Sequence, residues 1–426
     1  MKTYFSVSHE SLVNLRVMGA VKTLLIGLFL MFTHYGFSQE KKGPSKIIVS
    51  PNDNLLALYA NSSQGDTVFL SEGVYNLPGQ LVLKKGVNLM GAGPDKTILT
   101  TDAEHLLTEA GGNTNWDKYL ISKYEPSSLE SPNLQRANLF IEGFSIKSTT
   151  TVPLHGGIGI QNQANLEVRN VRVEGTYWSG LNILFVHKAK VSDSEFIDCG
   201  RFVETEVSTS TYGVVNIGSS EKLVFQNNRV LDNRTLPNNT YILSSLGSNS
   251  TEWVDVSLTD NYFRAQDQRS IWSQNGQAAP TYWKTSATKH FGTEIRNNYF
   301  GVPISITQER SYNLGYHEFA LQFTNNVVST NSHLMELTLP NTVNIENVIW
   351  ETPDLHDIGP AIVNFSSSVR NKLSVNGIYT NIQSNQELPL AAYQSQAGES
   401  AEVSNLQSNH SKEDLKELAA QWGIKQ

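Results

Sequence analysis

The phrase Leu223-Val224-Phe225-Gln226-Asn227-Asn228-Arg229-Val230 decides the fold. It alternates apolar and polar residues, turns at Asn227, and starts a second short strand. The same plan returns in Leu166 to Val173, Thr293 to Phe300, Leu321 to Val328 and Val343 to Trp350. Its turn slot is filled in order by Gly143, Asn170, Asp193, Asn227, Asp260, Asn297, Asn325, Asn347 and Gly377. Successive slots are 27, 23, 34, 33, 37, 28, 22 and 30 residues apart. Periods in this range mark a solenoid, in which each repeat buries its apolar face only against its neighbours.

One continuous stack can absorb most of the 426 residues, so the usual expectation of two or three domains does not apply. The net charge is −8 and only 17% of residues are charged, a balance that argues against nucleic acid as a partner. Residues 1–38 read as a secretory signal region. Lys22 precedes the apolar run Leu24 to Phe32, and Gly36-Phe37-Ser38 supplies small residues before a cut at Gln39. Met18 offers an alternative start. The apolar run is short for a membrane span, so no stable insertion is expected once the signal is removed, and the address is exported. The single cysteine, Cys199, excludes an intrachain disulfide and is expected to be a small buried side chain.

After a linker at 39–46, Ile47-Ile48-Val49 reads as a first strand. Asn52 to Asn61 reads as a capping helix, with Asn52 or Asp53 as its N-cap. Then come Gly65-Asp66-Thr67-Val68-Phe69-Leu70, Gly73-Val74-Tyr75, Leu81-Val82-Leu83, Gly86 to Gly93 and Thr97-Ile98-Leu99. This stretch resembles the N-terminal coils of right-handed parallel β-helix proteins of the pectin-lyase-like superfamily. The resemblance extends over 47–383 and implies an all-β fold, a right-handed parallel β-helix solenoid with an N-terminal capping helix and a short C-terminal helix. Gly91-Ala92-Gly93 is not read as a nucleotide loop, because no βαβ unit surrounds it. Residues 101–136 are polar and read as an excursion, with regular coils resuming at Asn138.

A third strand per coil is expected at Gly157 to Gln161, Gly180 to Leu184, Gly213 to Ile217, Pro303 to Thr307, Leu334 to Leu337 and Ala361 to Phe365, with Ser270 to Trp272 as another candidate. Period two points Ile158, Ile160, Leu181, Ile183, Val215 and Ile217 inward. It points Gly159, Gln161, Asn182, Asn216, Ser305 and Glu336 outward. Proteins of this resemblance stack Asn side chains at one turn, and the slots from Asn170 to Asn347 fit that structural role. The phrases stop near Gln383. Residues 384–410 read as a polar tail, and Ser411 caps a helix over 411–426 that either closes the stack or lies along its side.

Chemistry is expected where the spacing stretches. Three long turns flank the third-strand face: 198–212 with Arg201, Glu204 and Glu206; 264–290 with Arg269, Trp272, Trp283, Lys289 and His290; and 308–318 with Glu309, Arg310 and Tyr312. Between Arg264 and Arg310 stand six Lys/Arg against three acids, which favours an anionic polysaccharide. Gln161, Asn182, Asn216, Trp272, Trp283 and Tyr312 are the candidate substrate-binding residues.

Two reactions fit. In β-elimination, Arg269, Lys289 or Arg310 holds the uronate carboxylate or takes part in proton abstraction, with His290 or a Tyr as acid or base, and Arg201 is a further candidate catalytic residue. In hydrolysis, two carboxylates flank the bond. Glu204 and Glu206 on one strand face would lie about 7 Å apart, with Glu309 a further acid. A non-catalytic polysaccharide-binding or surface β-helix is the third reading. The acidic calcium cluster of pectate lyases, the Asp motifs of polygalacturonase-like hydrolases and the Asp-Pro-His-Asp phrase of alginate epimerases are all missing, so the fold does not select an activity. The sequence names no cofactor and no metal.

Overall fold

The computed structural model describes residues 43–107, 116–123, 135–200, 202–204, 209–211, 213–217, 220–234, 243–244, 253–265, 290–306, 318–330, 334–337, 341–352, 363–365, 372–381 and 400–425. The expected signal region lies outside them.

The slot residues hold the key to the chain path. All nine, from Gly143 to Gly377, have positive φ, between 50° and 83°. This left-handed region is tolerated by Gly, Asn and Asp and penalised for other residues. Each slot therefore turns the chain from a first strand into a second. Ser220–Gln226 pairs in parallel with Trp253–Thr259, then His290–Arg296, then Glu318–Thr324. After the turn, Arg229–Asp232 pairs with Tyr262–Ala265, then Tyr299–Gly301, then Val327–Ser329. Third strands complete the coil. Tyr119–Lys123, the start of Gly156–Arg169, the start of Leu181–Ser192, Val215–Ile217 and Leu243–Ser244 stack in that order. Ser305–Ile306, Met335–Leu337 and Val363–Phe365 form a separate three-stranded stack. Strand–crossover–strand units of this kind are right-handed. The architecture is a right-handed parallel β-helix.

The core follows the alternation. Ile158, Ile160, Leu181, Ile183, Val215 and Ile217 are all fully buried. Inside the stack, Phe263 lies on Phe300 with ring centroids 5.3 Å apart and planes within 5°, flanked by Phe225 and Phe323. One rung is closed by backbone contact alone. A Cβ on Gly91 would lie 2.4 Å from the Gly143 carbonyl oxygen, and one on Gly143 would lie 2.6 Å from that of Gly91. The Gly91 to Gly93 stretch is thus a packing device.

The buried ladder is not made by the slot residues. It is made by the residue after each slot. The Asn228 amide N–H donates to Asn261 Oδ1 at 2.9 Å, that of Asn261 to Asn298 Oδ1 at 2.9 Å, and that of Asn298 to Asn326 Oδ1 at 2.9 Å. Asn228 Oδ1 in turn accepts from Ser194 N–H. The Nδ2 groups donate to first-strand carbonyls: Asn261 to Phe225, Asn298 to Leu258 and Asn326 to Ile295. Slot side chains point to the surface instead, where Asn227 Nδ2 donates to Asp193 Oδ1 and Asn297 Nδ2 to Asp260 Oδ1. The left-handed turn at the slot sends its own side chain outward and the next one in.

Three further expectations change. The excursion at 101–136 contains a third strand, Tyr119–Lys123, paired with Leu81–Val82 on one side and with Gly156–Arg169 on the other. The N-terminal helix α1, Leu55–Asn61, is capped by Asn54, whose side chain accepts from Ala57 N–H, because Asp53 is committed to Ser50 N–H. The polar tail supplies another coil, since Ser400–Gln407 pairs with Lys372–Thr380 over seven register positions. At the N-terminal end Leu55 and Tyr59 of α1 join the core, and Tyr59 Oη donates to the Val87 carbonyl. Helix α2, Lys412–Gln421, begins with a Ser411–Asp414 capping box. It lies along the side of the stack, with Leu415 and Ala419 packed with Val327 and Ile349 on the outward side of the second strands.

Separating slot from ladder gives a direct test. Asn298→Ala removes the caps on Leu258 and Asn326 and leaves Asn261 N–H buried without an acceptor, a loss of about 2–4 kcal/mol. Asn297→Gly keeps the left-handed turn and costs under about 1 kcal/mol. Urea-unfolding midpoints of the two variants should differ accordingly.

Candidate functional site

The third-strand face carries one continuous outward row. Val82, Ser122, Gly159, Asn182, Asn216 and Ser244 are successive register partners. The alternation that buries Ile158, Leu181 and Val215 sets this row. Asn182 and Asn216 are 8% exposed, and Gln161, on the same face, is 5% exposed. They were expected to line an open groove. They are instead largely covered and locked together: Asn216 Nδ2 donates to Asn182 Oδ1 at 2.9 Å, and Asn182 Nδ2 to Tyr119 Oη at 3.0 Å. Gln161 Oε1 has no hydrogen-bond partner among the described residues.

Beside the row lies a buried polar and aromatic cluster that the sequence reading did not single out. Tyr119, His155, Tyr177 and Trp178 pack together at the entry to the third strands. The His155 ring sits 3.8 Å from that of Trp178, edge to face. Trp178 N–H donates to the His155 carbonyl, and Tyr177 N–H to that of Leu154, which fixes one coil's entry on the next. Gly156 is required here, since a Cβ would meet the Tyr119 ring at 2.7 Å. His155 is fully buried, and neither its ring nitrogens nor Ser179 Oγ have a hydrogen-bond partner among the described residues. Burial, followed by the nearby charge of Lys118, lowers its pKa to about 4, so the imidazole is neutral at pH 7. The available signal is a pair of phrases, Leu154-His155-Gly156-Gly157 and Tyr177-Trp178-Ser179-Gly180, each placing bulky groups before a close-packed glycine.

The long turn after the second strand at Glu195–Ile197 leaves from a fixed base. Arg234 makes two hydrogen bonds to the buried Asp232 carboxylate and donates to the carbonyls of Cys199 and Gly200, each at 2.8 Å. Cys199 is buried as expected, and burial raises its thiol pKa. Within this turn Phe202–Glu204 and Thr209–Thr211 form an antiparallel hairpin, with Glu204 opposite Thr209. Glu204 therefore ends the first hairpin strand, and the second, Thr209–Thr211, precedes the third strand Val215–Ile217. His290 opens the first strand His290–Arg296, in register with Glu318. Arg201, Glu206, Arg269, Trp272, Trp283, Lys289, Glu309, Arg310 and Tyr312 lie outside the described residues.

Chemically, the row carries amide and hydroxyl groups of the type that hydrogen-bonds a polyhydroxylated ligand, and at Asn182 and Asn216 these are committed to neighbouring side chains. Among the described residues, no three His, Cys, Asp or Glu side chains converge to hold a metal ion. Nor is any helix among them long and apolar enough to cross a membrane.

His155 makes stability depend on pH. Its pKa is about 6.5 when unfolded and about 4 when folded. Between these values the unfolded chain binds more protons, so stability falls as pH drops from about 6.5 to about 4 and levels off below. The loss is up to about 3 kcal/mol. Urea unfolding at pH 7.5 and pH 4.5 should show a smaller acid penalty in His155→Phe than in the natural chain.

Known proteins are similar in architecture at low identity. Geobacillus virus E2 ORF18 is 15% identical, covers 75% of this chain and 54% of its own, with a TM-score of 0.38. The tailspike protein gp49 from Acinetobacter baumannii bacteriophage Fri1, a capsular polysaccharide depolymerase, is 11% identical, covers 86% and 63%, with a TM-score of 0.48. The A-module of the Azotobacter vinelandii mannuronan C-5 epimerase AlgE6 is 13% identical, covers 83% and 91%, with a TM-score of 0.42. The chain thus spans between half and two thirds of the first two. No curated protein matches the sequence. Residues 56–283, more than half of the chain, match the family described as "Protein of unknown function (DUF1565)", and the chain belongs to that family.

Proposed function

We propose that this is an exported carbohydrate-active protein that engages an extracellular polysaccharide along its third-strand face and cleaves an anionic polymer by β-elimination. One observation carries the reading: long connections precede or follow third strands along the chain. The 198–214 segment precedes Val215–Ile217, the 307–317 segment follows Ser305–Ile306, and the 266–289 segment lies in sequence between Tyr262–Ala265 and His290–Arg296. Val215–Ile217 belongs to the amide and hydroxyl row from Ser122 to Ser244, and Ser305–Ile306 to the separate three-stranded stack. Turns of this length build walls, and walls beside a regular polar row make a groove for a linear polymer.

The excess of Lys and Arg between 264 and 310 supports an acidic sugar chain. Elimination needs a cation on the uronate carboxylate and a base at the neighbouring carbon. Arg201, Arg269, Lys289 and Arg310 are the proposed cations, and His290 the proton-transfer group. Retention of the polymer without cleavage is the second reading. It is favoured by the neutral row, in which Asn182 and Asn216 already bond one another.

The test is incubation of the full chain with alginate, polygalacturonate and a sulfated glycan. An ultraviolet-absorbing unsaturated end marks the lyase, and reducing ends without that absorbance mark a hydrolase instead. His290→Ala and Arg310→Ala should each lower the elimination rate by about 100-fold or more with unchanged unfolding midpoints. Retention on a glycan column with neither product favours the binding reading. No product and no retention on any of the three polymers sinks both.

A further inference from the structure

A second groove runs along the opposite part of the coil, over the slot turns and the second strands. It encloses about 1100 Å³ and crosses the slots Asn170, Asp193, Asn227, Asp260 and Asn297. Five consecutive coils at the spacing of parallel strands give it a length of about 19 Å. None of the outward residues of the third-strand row lines it.

Its floor is ordered. Second-strand register aligns Arg172, Glu195, Arg229, Tyr262 and Tyr299 in one outward row. Glu195 accepts from Arg172 at 2.6 Å and from Arg229 at 3.1 Å, and Arg172 also reaches Asp95 at the groove's edge. Tyr262 stacks on Tyr299 with centroids 4.8 Å apart, and the Arg229 guanidinium lies over the Tyr262 ring. Beyond Tyr299 the row turns apolar at Val327 and Ile349, where α2 covers it. The segment after α2 then contributes a wall, with Lys425 Nζ donating to Asn227 Oδ1 at 3.1 Å.

The lining holds six cations, Arg169, Arg172, Lys190, Arg229, Arg264 and Lys425, against four acids, Asp95, Asp193, Glu195 and Asp260. The acids are occupied. Asp95 and Glu195 take arginines, and Asp193 and Asp260 take the side-chain amides of Asn227 and Asn297. Two of the cations are not ion-paired among the described residues. Arg264 donates only to the neutral oxygen of Asn233, at 3.3 Å, and Lys425 to that of Asn227. Unspent cationic donors and a straight floor that repeats rung by rung, with the Tyr262 ring held edge-on between Arg229 and Tyr299, together suit an extended anionic polymer.

We propose that this groove is a second glycan-binding site, taking an acidic oligosaccharide whose carboxylate or sulfate groups meet Arg264 and Lys425 and whose sugar ring meets the edge of Tyr262. The proposal rests on the chain's engaging polysaccharide, but at a face separate from the one assigned above.

The experiment is calorimetric titration of the full chain with hexagalacturonate, a heparin-derived hexasaccharide, cellohexaose and hexaglutamate. The variants are Arg264→Ser/Lys425→Ser, the same pair with Tyr262→Ser, and Asn182→Ala/Asn216→Ala. The expected result is that an acidic hexasaccharide binds at low salt and cellohexaose does not. The surface pair, which removes only exposed charge, should weaken one binding component at least tenfold, and the triple variant further, while that component persists in Asn182→Ala/Asn216→Ala, which perturbs only the component of the third-strand face. Preference for hexagalacturonate identifies a carboxylate ligand, and preference for the heparin fragment a sulfate ligand. Binding that the surface pair leaves intact but Asn182→Ala/Asn216→Ala abolishes overturns this groove and retains the third-strand site. Tighter binding of hexaglutamate than of either acidic sugar overturns the glycan assignment. Failure of every sugar to bind overturns both sites.

Discussion

The hydrogen bond from one ladder amide N–H to the next coil's Asn Oδ1 is the constraint on which the stack depends. It keeps a length of 2.9 Å from Asn228 through Asn326 while the coils between those residues change from 33 to 37 to 28 residues. A turn that buries backbone N–H groups must give each an acceptor, since an unpaired buried donor costs roughly 1–3 kcal/mol. The ladder supplies one per coil, and its Nδ2 groups also satisfy carbonyls on the strand leading into the turn. This corner therefore cannot accept inserted residues. Length variation is forced to the far side, around the third strands, and that is where the long turns emerge.

The ladder also has ends, and they follow from the same requirement. Toward the N-terminus the position is Ser194, whose hydroxyl accepts from Val171 N–H, and then Val171 itself. Toward the C-terminus Val348 and Ile378 take the place, both fully buried. The amide stack thus occupies the coils from Asn228 to Asn326, and the corners on either side are filled by Ser194 and by the aliphatic Val171, Val348 and Ile378.

Much of this was legible in the sequence because it repeats. Nine turn slots, the inward set from Ile158 to Ile217 and the capping of α2 by Ser411 are all set by local rules of period and backbone conformation. The identity of the ladder was less so. In Asn227-Asn228, Asp260-Asn261, Asn297-Asn298 and Asn325-Asn326 both members are plausible, and only the geometry of the left-handed turn decides that the first faces out. The strand Tyr119–Lys123 was hidden for a different reason: its neighbours in space, Leu81 and Ile158, lie 40 and 37 residues away from Ile121. The site was least legible, because its groups come from separate coils. His155 and Trp178 meet across one rung, and Tyr119 and Asn182 across two, and nothing in a linear reading ranks such pairs above the many polar residues beside them.

The two faces of the helix divide the chemistry in a way that follows from backbone geometry. On the third-strand row the outward residues from Ser122 to Ser244 are small or amide-bearing and uncharged, and Asn182 and Asn216 bond one another along the stack. On the slot and second-strand side the outward residues are long and charged. There the parallel register places unlike charges on adjacent rungs, as in Arg172, Glu195 and Arg229. Placing like charges directly opposite would be unfavourable, so a run of alternating signs with Tyr262 at its end is what a stable outward row can be. Beside that row, Arg264 (in register with Leu231 and Gly301) and Lys425, from the segment after α2, have no ion-pair partner among the described residues. A solenoid thus turns a stability rule about neighbouring rungs into a map of where its surface has unspent donors.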